Sequence, residues 1–443
     1  MVGIRKTMDA ANAKDRMNAK DKGRRGDAVP EGPVRKAGLS GQVRTALLIA
    51  AIVAAIMTVL AVISSVGVNV PVFTETYEYL AHGKSRESNA SGYGGYTDLS
   101  PDGIPYELAG SGGAWDGVEI RPPAFSILYD ASEETEFCVF KDYLAECSRD
   151  NFSLFDKNGY EVFRKSLDFA KPSMRRRGDY LLVSDLGGRS AFLMKGAKPV
   201  WEGAFTSGII NGTVNKGGYI SFALDAPGYR NSVRVLAPVG KPLFDWVIAD
   251  DYVLGSDVSP SGKELVINRL KTNGVGLSSG LEFLDLKSEP FRFVESGEDE
   301  VFLNAFYLED NSLAAVTEDT FYLYSESGER LFKETFESVM AFCEFPQKKA
   351  AVAVRRHNRV LVVEYGADAT KSRAVFVTDK PVRNLSADNG LLFINLGNEI
   401  AVMRENDKTA INLTLDGEAL YGGASEKLGV LTVTGKSADV YGF

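Results

Sequence analysis

At 443 residues, with 44% apolar and 25% charged side chains, the chain is long enough for a sizeable folded domain and too apolar to be disordered throughout. Three cysteines are too few and odd in number for a disulfide-built scaffold, and two histidines leave no multi-histidine metal centre. The net charge of −9 averages unlike parts: a tail of +6 leaves the rest of the chain at −15, which argues against nucleic acid as a partner.

Residues 1–45 make up that tail, with eleven Lys and Arg against five acids, no aromatics, and Gly23, Gly26, Pro30, Gly32 and Pro33. Such a segment buries too little surface to fold alone, so a disordered basic tail is expected. Residues 46–68 carry no charge. At the rise of an α-helix they span roughly 34 Å, one bilayer crossing, and the run is longer than the core of a cleavable signal peptide. A retained, single-pass signal anchor is expected, with the basic N-terminus in the cytoplasm and the C-terminal part outside the cell membrane. Ala50/Ala54 and Ala51/Ala55 have the spacing that lets two spans pack closely, so the oligomeric state stays open.

Residues 69–105 include Ser-Asn-Ala-Ser-Gly-Tyr-Gly-Gly-Tyr and Ser100-Pro101-Asp102-Gly103, turn chemistry that reads as an extracytoplasmic stalk. From 106 to 443 there is no 3.6-residue apolar face, only short runs of Val, Leu, Phe and Tyr punctuated by Gly, Asp, Asn and Pro, so this region is all-β. Eight runs follow a polar or glycine turn, at Tyr143, Tyr180, Tyr219, Leu265, Leu313, Ala351, Leu391 and Leu428. Their mean step of about 41 residues suits a four-stranded propeller blade. An eight-bladed β-propeller is expected. Seven blades are the alternative, because the steps around Leu265 and Leu313 are long, and two separate β-domains are a more distant one.

A second pattern recurs: an apolar pair, a glycine five residues on, and an aromatic four beyond it. It occurs at Gly159/Phe163, Gly240/Phe244 and Gly328/Phe332, with looser versions at Gly196/Trp201 and Gly417/Tyr421. The glycine supplies the positive φ of a hairpin, and the aromatic packs between neighbouring sheets. Ser259-Pro-Ser-Gly262 marks another turn. After Leu428 only two strands fit before Phe443, so a run such as 124–129 is expected to complete the last blade and close the ring.

This turn pattern resembles that of quinoprotein-like, WD-repeat-like and outer-membrane-assembly-lipoprotein-type propellers. The whole layout, a basic tail, one span, Pro105-Tyr-Glu-Leu108 and eight degenerate repeats, is similar to a bacterial membrane-anchored family catalogued as domain of unknown function 5711. The resemblance implies architecture and location, and brings no site residue with it. Quinone-dependent relatives carry adjacent cysteines. This chain has Cys138, Cys147 and Cys343, none adjacent, so no quinone and no other cofactor is expected.

Chemistry-bearing residues are sparse. His82 falls in the stalk and His357 among arginines in a hairpin, and neither makes a triad. The three thiols read as buried and unpaired, with a Cys138–Cys147 bridge as the alternative. Asp250-Asp251 and Glu298-Asp299-Glu300 read as solvated loops, and lack the spacing of a calcium motif. Arg175-Arg176-Arg177 and Arg355-Arg356 offer a meeting point for an anionic polymer or an acidic partner. No catalytic, cofactor or metal residue is assigned. The expected function is a non-enzymatic binding or scaffold module for an envelope protein or cell-wall polymer, the alternative an envelope hydrolase or lyase using carboxylates in the propeller funnel.

Overall fold

The computed structural model describes residues 122–443, apart from 133, 273–276, 288–290, 297–299, 346–347, 367–371, 389 and 406–409. The expected tail, span and stalk therefore lie outside the described residues, as do His82 and Glu298-Asp299. No helix among the described residues is long and apolar enough to cross a membrane.

Among the described residues thirty-two strands form eight four-stranded antiparallel sheets, an eight-bladed propeller. In blades 1 to 7 the four strands follow one another from the channel outward. The inner strands are Glu136–Phe140, Pro172–Arg177, Ile209–Val214, Tyr252–Val258, Asn304–Tyr307, Ser338–Phe345 and Asn384–Asp388. Blade 8 takes Tyr421–Ser425, Gly429–Val433 and Ser437–Tyr441 from the end of the chain, and its outermost strand is Phe125–Leu128 from the beginning. The ring is thus closed by the segment the sequence nominated, with Phe125 opposite Val440 and Leu128 opposite Ser437.

All eight apolar runs found in the sequence fall on or at the start of the second strand of a blade. Their continuous burial, rather than alternation, has a simple cause. Each blade is sandwiched between two others, so both faces of its second strand are covered. Leu181 and Val183 face blade 1, whereas Leu182 between them faces blade 3. The core is accordingly divided into eight apolar clusters, one at each blade–blade interface. The long steps around Leu265 displace no boundary: Tyr252–Val258, Glu264–Lys271, Ser278–Asp285 and Phe291–Glu295 form blade 4.

The glycine pattern marks the hairpin between third and fourth strands. Gly159, Gly240 and Gly328 have φ of 82°, 83° and 87°, and the pairing just before each slips by a residue, a bulge that sharpens the turn. Phe163, Phe244 and Phe332 pack into the interfaces as expected. Gly417 is a correction: it lies on the connection from blade 7 to blade 8, and Tyr421 begins the inner strand of blade 8, where its hydroxyl accepts a hydrogen bond from the Phe137 backbone at 3.0 Å. Ser259–Gly262 turns the first and second strands of blade 4 instead, with Gly262 N donating to Ser259 O at 2.8 Å.

Because the strands alternate in direction, the first and third hairpins of every blade emerge at one end of the channel. We call this the hairpin face. The second hairpins and the blade-to-blade connections emerge at the other. Ser437–Tyr441 runs toward the hairpin face, so Phe125 enters and the chain end leaves the ring there.

Candidate binding site at the channel mouth

On the hairpin face the channel opens into a cavity of about 860 Å³. Its walls come from the first hairpins, or the inner-strand ends beside them, of seven blades: Lys141 and Asp142 of blade 1, Arg176 to Asp179 of blade 2, Lys216 of blade 3, Glu309 of blade 5, Cys343 and Glu344 of blade 6, 385–388 of blade 7, and 425–427 of blade 8.

Two arginines make the floor. Arg177 is the last residue of the inner strand of blade 2, opposite Tyr180 across a two-residue turn, and from that free edge its side chain reaches over the channel. Its Nε donates to Glu344 of blade 6 at 2.6 Å, one Nη to Asp257 of blade 4 at 2.8 Å, and the other to the carbonyl of Tyr307 of blade 5 at 2.6 Å. Asp257 also accepts from the backbone N–H groups of Tyr307 at 2.9 Å and Val258 at 3.0 Å, so four blades meet at this one guanidinium. Burial raises the Asp257 carboxyl above the usual range, with Arg177 opposing that rise. Arg176 donates to the Ala387 carbonyl at 2.7 Å and lies 2.9 Å from Asp388, both of blade 7. Burial raises Asp388 too, against the pull of Arg176.

The rim is wetter. Lys141 pairs with Asp179 at 2.6 Å and Lys427 with Asp142 at 2.7 Å, while Lys216 of blade 3 pairs with Glu309 of blade 5. The Lys141 hydrogen bond holds Asp179 below its ordinary value. Glu426 has Arg404 within 3.8 Å. Every lining carboxylate therefore has a cation within 4 Å, an arrangement that neutralises charge and leaves no free acid and base facing each other.

The residues singled out from sequence are distributed as follows. Of the arginine run, Arg176 and Arg177 are consumed by the channel floor and Arg175 is left exposed. Arg356 pairs with Glu334 at 2.9 Å, and Arg355 is exposed at the opposite end of the ring. His357 sits at the tip of that hairpin with φ of 48°, its backbone N–H bonded to Glu337. Asp251 corrects the solvated-loop reading: it is buried and lies 2.9 Å from Arg269, which also holds Glu282. Glu300 accepts a 3.3 Å hydrogen bond from the Tyr322 hydroxyl. The thiols are unbridged, Cys147 buried and the other two partly so, and burial pushes Cys138 up to about 12. Among the described residues no group of three or more His, Cys, Asp or Glu could hold a metal ion. The channel ties to Asp257, Glu344 and Tyr307 were not visible in sequence, for their partners lie 80, 167 and 130 residues from Arg177.

Residues 126–421 match a family described as a family of unknown function (DUF5711). No curated protein matches the chain in sequence. In fold it is similar to the crystal structure of Sqt1 from Saccharomyces cerevisiae, at 14% identity, covering 71% of this chain and 97% of that one, with a TM-score of 0.49. It is also similar to Sqt1 from Chaetomium thermophilum bound to the N-terminus of the ribosomal protein L10 (12%, 71% and 98%, 0.46). A third is the dihydro-heme d1 dehydrogenase NirN in complex with DHE (12%, 69% and 75%, 0.46). At such identities the likeness concerns the fold.

Proposed function

The chain belongs to the DUF5711 family of unknown function, and from that premise, a fold without an assigned activity, we propose that it is a membrane-anchored binding module. In this reading residues 46–68 hold it in the cell membrane, residues 1–45 stay in the cytoplasm, and the propeller outside engages an envelope protein or cell-wall polymer through the channel mouth. The uncharged 23-residue run and its one-sided basic flank support the anchoring.

One observation carries the choice of site. The cavity wall is built from hairpins and inner-strand ends of seven blades, while the eight apolar clusters that hold the ring lie between the sheets. Residues on the rim, as distinct from the arginines of the floor, can therefore be chosen for a ligand without disturbing the fold. Lining carboxylates that are each ion-paired suit a binding surface better than the acid and base of a hydrolase.

The test is crosslinking of the full-length protein in its membrane, followed by affinity purification, with a span-only chain and the Lys216→Glu/Lys427→Glu variant as controls. An envelope component retained by the natural chain and lost from both controls is the expected result. Identical retention by the variant would move the site away from the mouth.

A further inference from the structure

Exposed apolar side chains are unevenly shared among the blades. Of the fourteen large ones exposed among the described residues, blade 3 carries five, Ile210, Tyr229, Val239, Leu243 and Val247, and no other blade more than three. Four of the five follow one edge. Leu243 and Val247 lie on the outermost strand of the blade, Lys241–Ile248, and Val239 lies in the turn that enters it. Tyr229 sits beside its far end, where the Arg230 backbone N–H donates to the Ile248 carbonyl at 3.0 Å. At eight residues this is the longest of the outermost strands, the others having four to seven. It pairs with Asn231–Ala237 on its inner side, and no strand among the described residues pairs with its outer side.

The entering turn adds a second observation. Val239 has φ of 63° and ψ of 19°, the left-handed region, which strains a β-branched side chain. That side chain is 70% exposed, so the ring recovers little of the strain as packing. Along the strand, Phe244 and Trp246 pack toward blade 4, while Leu243, Asp245 and Val247 point outward, with Asp245 held by Arg234 at 2.6 Å. Pro242 and a bulge at Leu243 break the edge near the turn, and Phe244–Ile248 keeps regular pairing. Exposed apolar surface and backbone strain, each a cost to the ring alone, thus fall on the same open edge.

We propose that the outer edge of blade 3 takes up an extended peptide segment of a partner protein as a fifth strand, with apolar side chains of the segment lying on Leu243 and Val247. This surface is separate from the channel mouth and does not depend on it. The edge selects its occupant by chemistry, because a row of outward N–H and C=O groups is matched by another strand. Its size selects a segment over a second copy of the chain. Eight residues extend about 27 Å, and two strand spacings give a width of about 10 Å, so the stripe covers roughly 270 Å². Stable association of two folded proteins takes about 800 Å² from each, and two rigid rings touching edge to edge cannot enlarge the contact.

The probe is a dye-labelled, C-amidated peptide, Glu-Val-Thr-Val-Thr-Val-Lys, titrated into the full chain in nanodiscs and followed by fluorescence anisotropy. Since main-chain pairing supplies the affinity, alternating valines suffice, and saturable binding below roughly 1 mM is expected. A strand shows its amides alternately to its two sides, so N-methylation of alternate residues should abolish binding on one side of the peptide and spare it on the other. Amide exchange should slow in 241–248. Val247→Lys, which puts an edge-guarding charge on the stripe, should weaken binding about tenfold, while Leu331→Lys on the outer strand of blade 5 leaves it unchanged. Both positions are exposed, and an unchanged melting temperature checks that the ring is intact. No saturable binding at roughly 1 mM, binding that survives methylation of either side, slowed exchange confined to other strands, or equal effects of the two lysine variants would each overturn the proposal. Self-association of the chain that Val247→Lys abolishes would give the edge to a second copy and overturn it as well.

Discussion

Replacing Arg177 with methionine keeps much of the side-chain volume and removes the cation on which four blades converge. Asp257, 2% exposed, and Glu344 then lose their charged partner, and the Tyr307 carbonyl loses its donor. Removing one member of a buried ion pair costs about 3–5 kcal/mol, because the remaining charge is stranded away from water. At about 2 °C per kcal/mol for a domain of this size, the melting temperature should fall by roughly 6–10 °C at pH 8. Thermal unfolding followed by the fluorescence of Trp201 and Trp246 measures it. The sign of the pH dependence follows from Asp257. Burial already raises its carboxyl, and without the guanidinium it rises further, so the folded variant holds a proton that the unfolded chain, near pH 3.9, releases. Stability of the variant should therefore fall as pH rises through that window, and the gap to the natural chain should narrow toward pH 4.5. Neutralising the carboxylates as well, with Asp257→Asn and Glu344→Gln, should recover part of the loss. A fall of less than about 2 °C, or one equal at pH 8 and pH 4.5, would refute the account of the channel floor as a buried, charge-dependent tie.

Three other expectations follow from the same geometry. Burial first, then the neighbouring Asp285 and Glu326, push Glu264 up to about 7. Its folded value lies above the unfolded one, so stability should decline from about pH 4.5 to 7 and then level off, and Glu264→Gln should stabilise the ring at pH 8 but not at pH 4.5, by on the order of 1 kcal/mol once solvent screening of this half-exposed group is allowed for. A Cβ at Gly240, where φ is 83°, would lie 1.7 Å from the Trp201 ring, so Gly240→Ala should destabilise by about 2 kcal/mol or more in a chemical denaturation series. Deleting residues 122–129 bares the edge of Ser437–Tyr441, and size-exclusion chromatography should show more association than the natural chain gives.

The architecture was largely legible because a propeller writes its repeat locally. Each blade needs a second strand buried on both faces, and that requirement produced the apolar runs from Tyr143 to Leu428. Each tight outer hairpin needs a positive φ, which produced Gly159, Gly240 and Gly328. Misreadings came where a local rule was met by accident, as at Gly417, whose spacing to Tyr421 imitates the hairpin but straddles two blades. The site was illegible for the opposite reason. Arg177 reads as one of three surface arginines until the ring brings blades 4, 5 and 6 to face it, and Asp251 reads as a loop acid until Arg269 closes over it. Contacts across the channel leave no period in the sequence, since only ring closure sets which residues meet.

Closure by Phe125–Leu128 also has a consequence for synthesis. The first propeller strand to leave the ribosome pairs with one of the last, and the Tyr129 hydroxyl bonds the Thr434 carbonyl 305 residues downstream. Until the segment Tyr421–Tyr441 has been made the nascent ring is an open arc, and that segment decides whether it closes. A chain lacking Ser437–Tyr441 would leave Phe125–Leu128 without its partner and blade 8 unfinished.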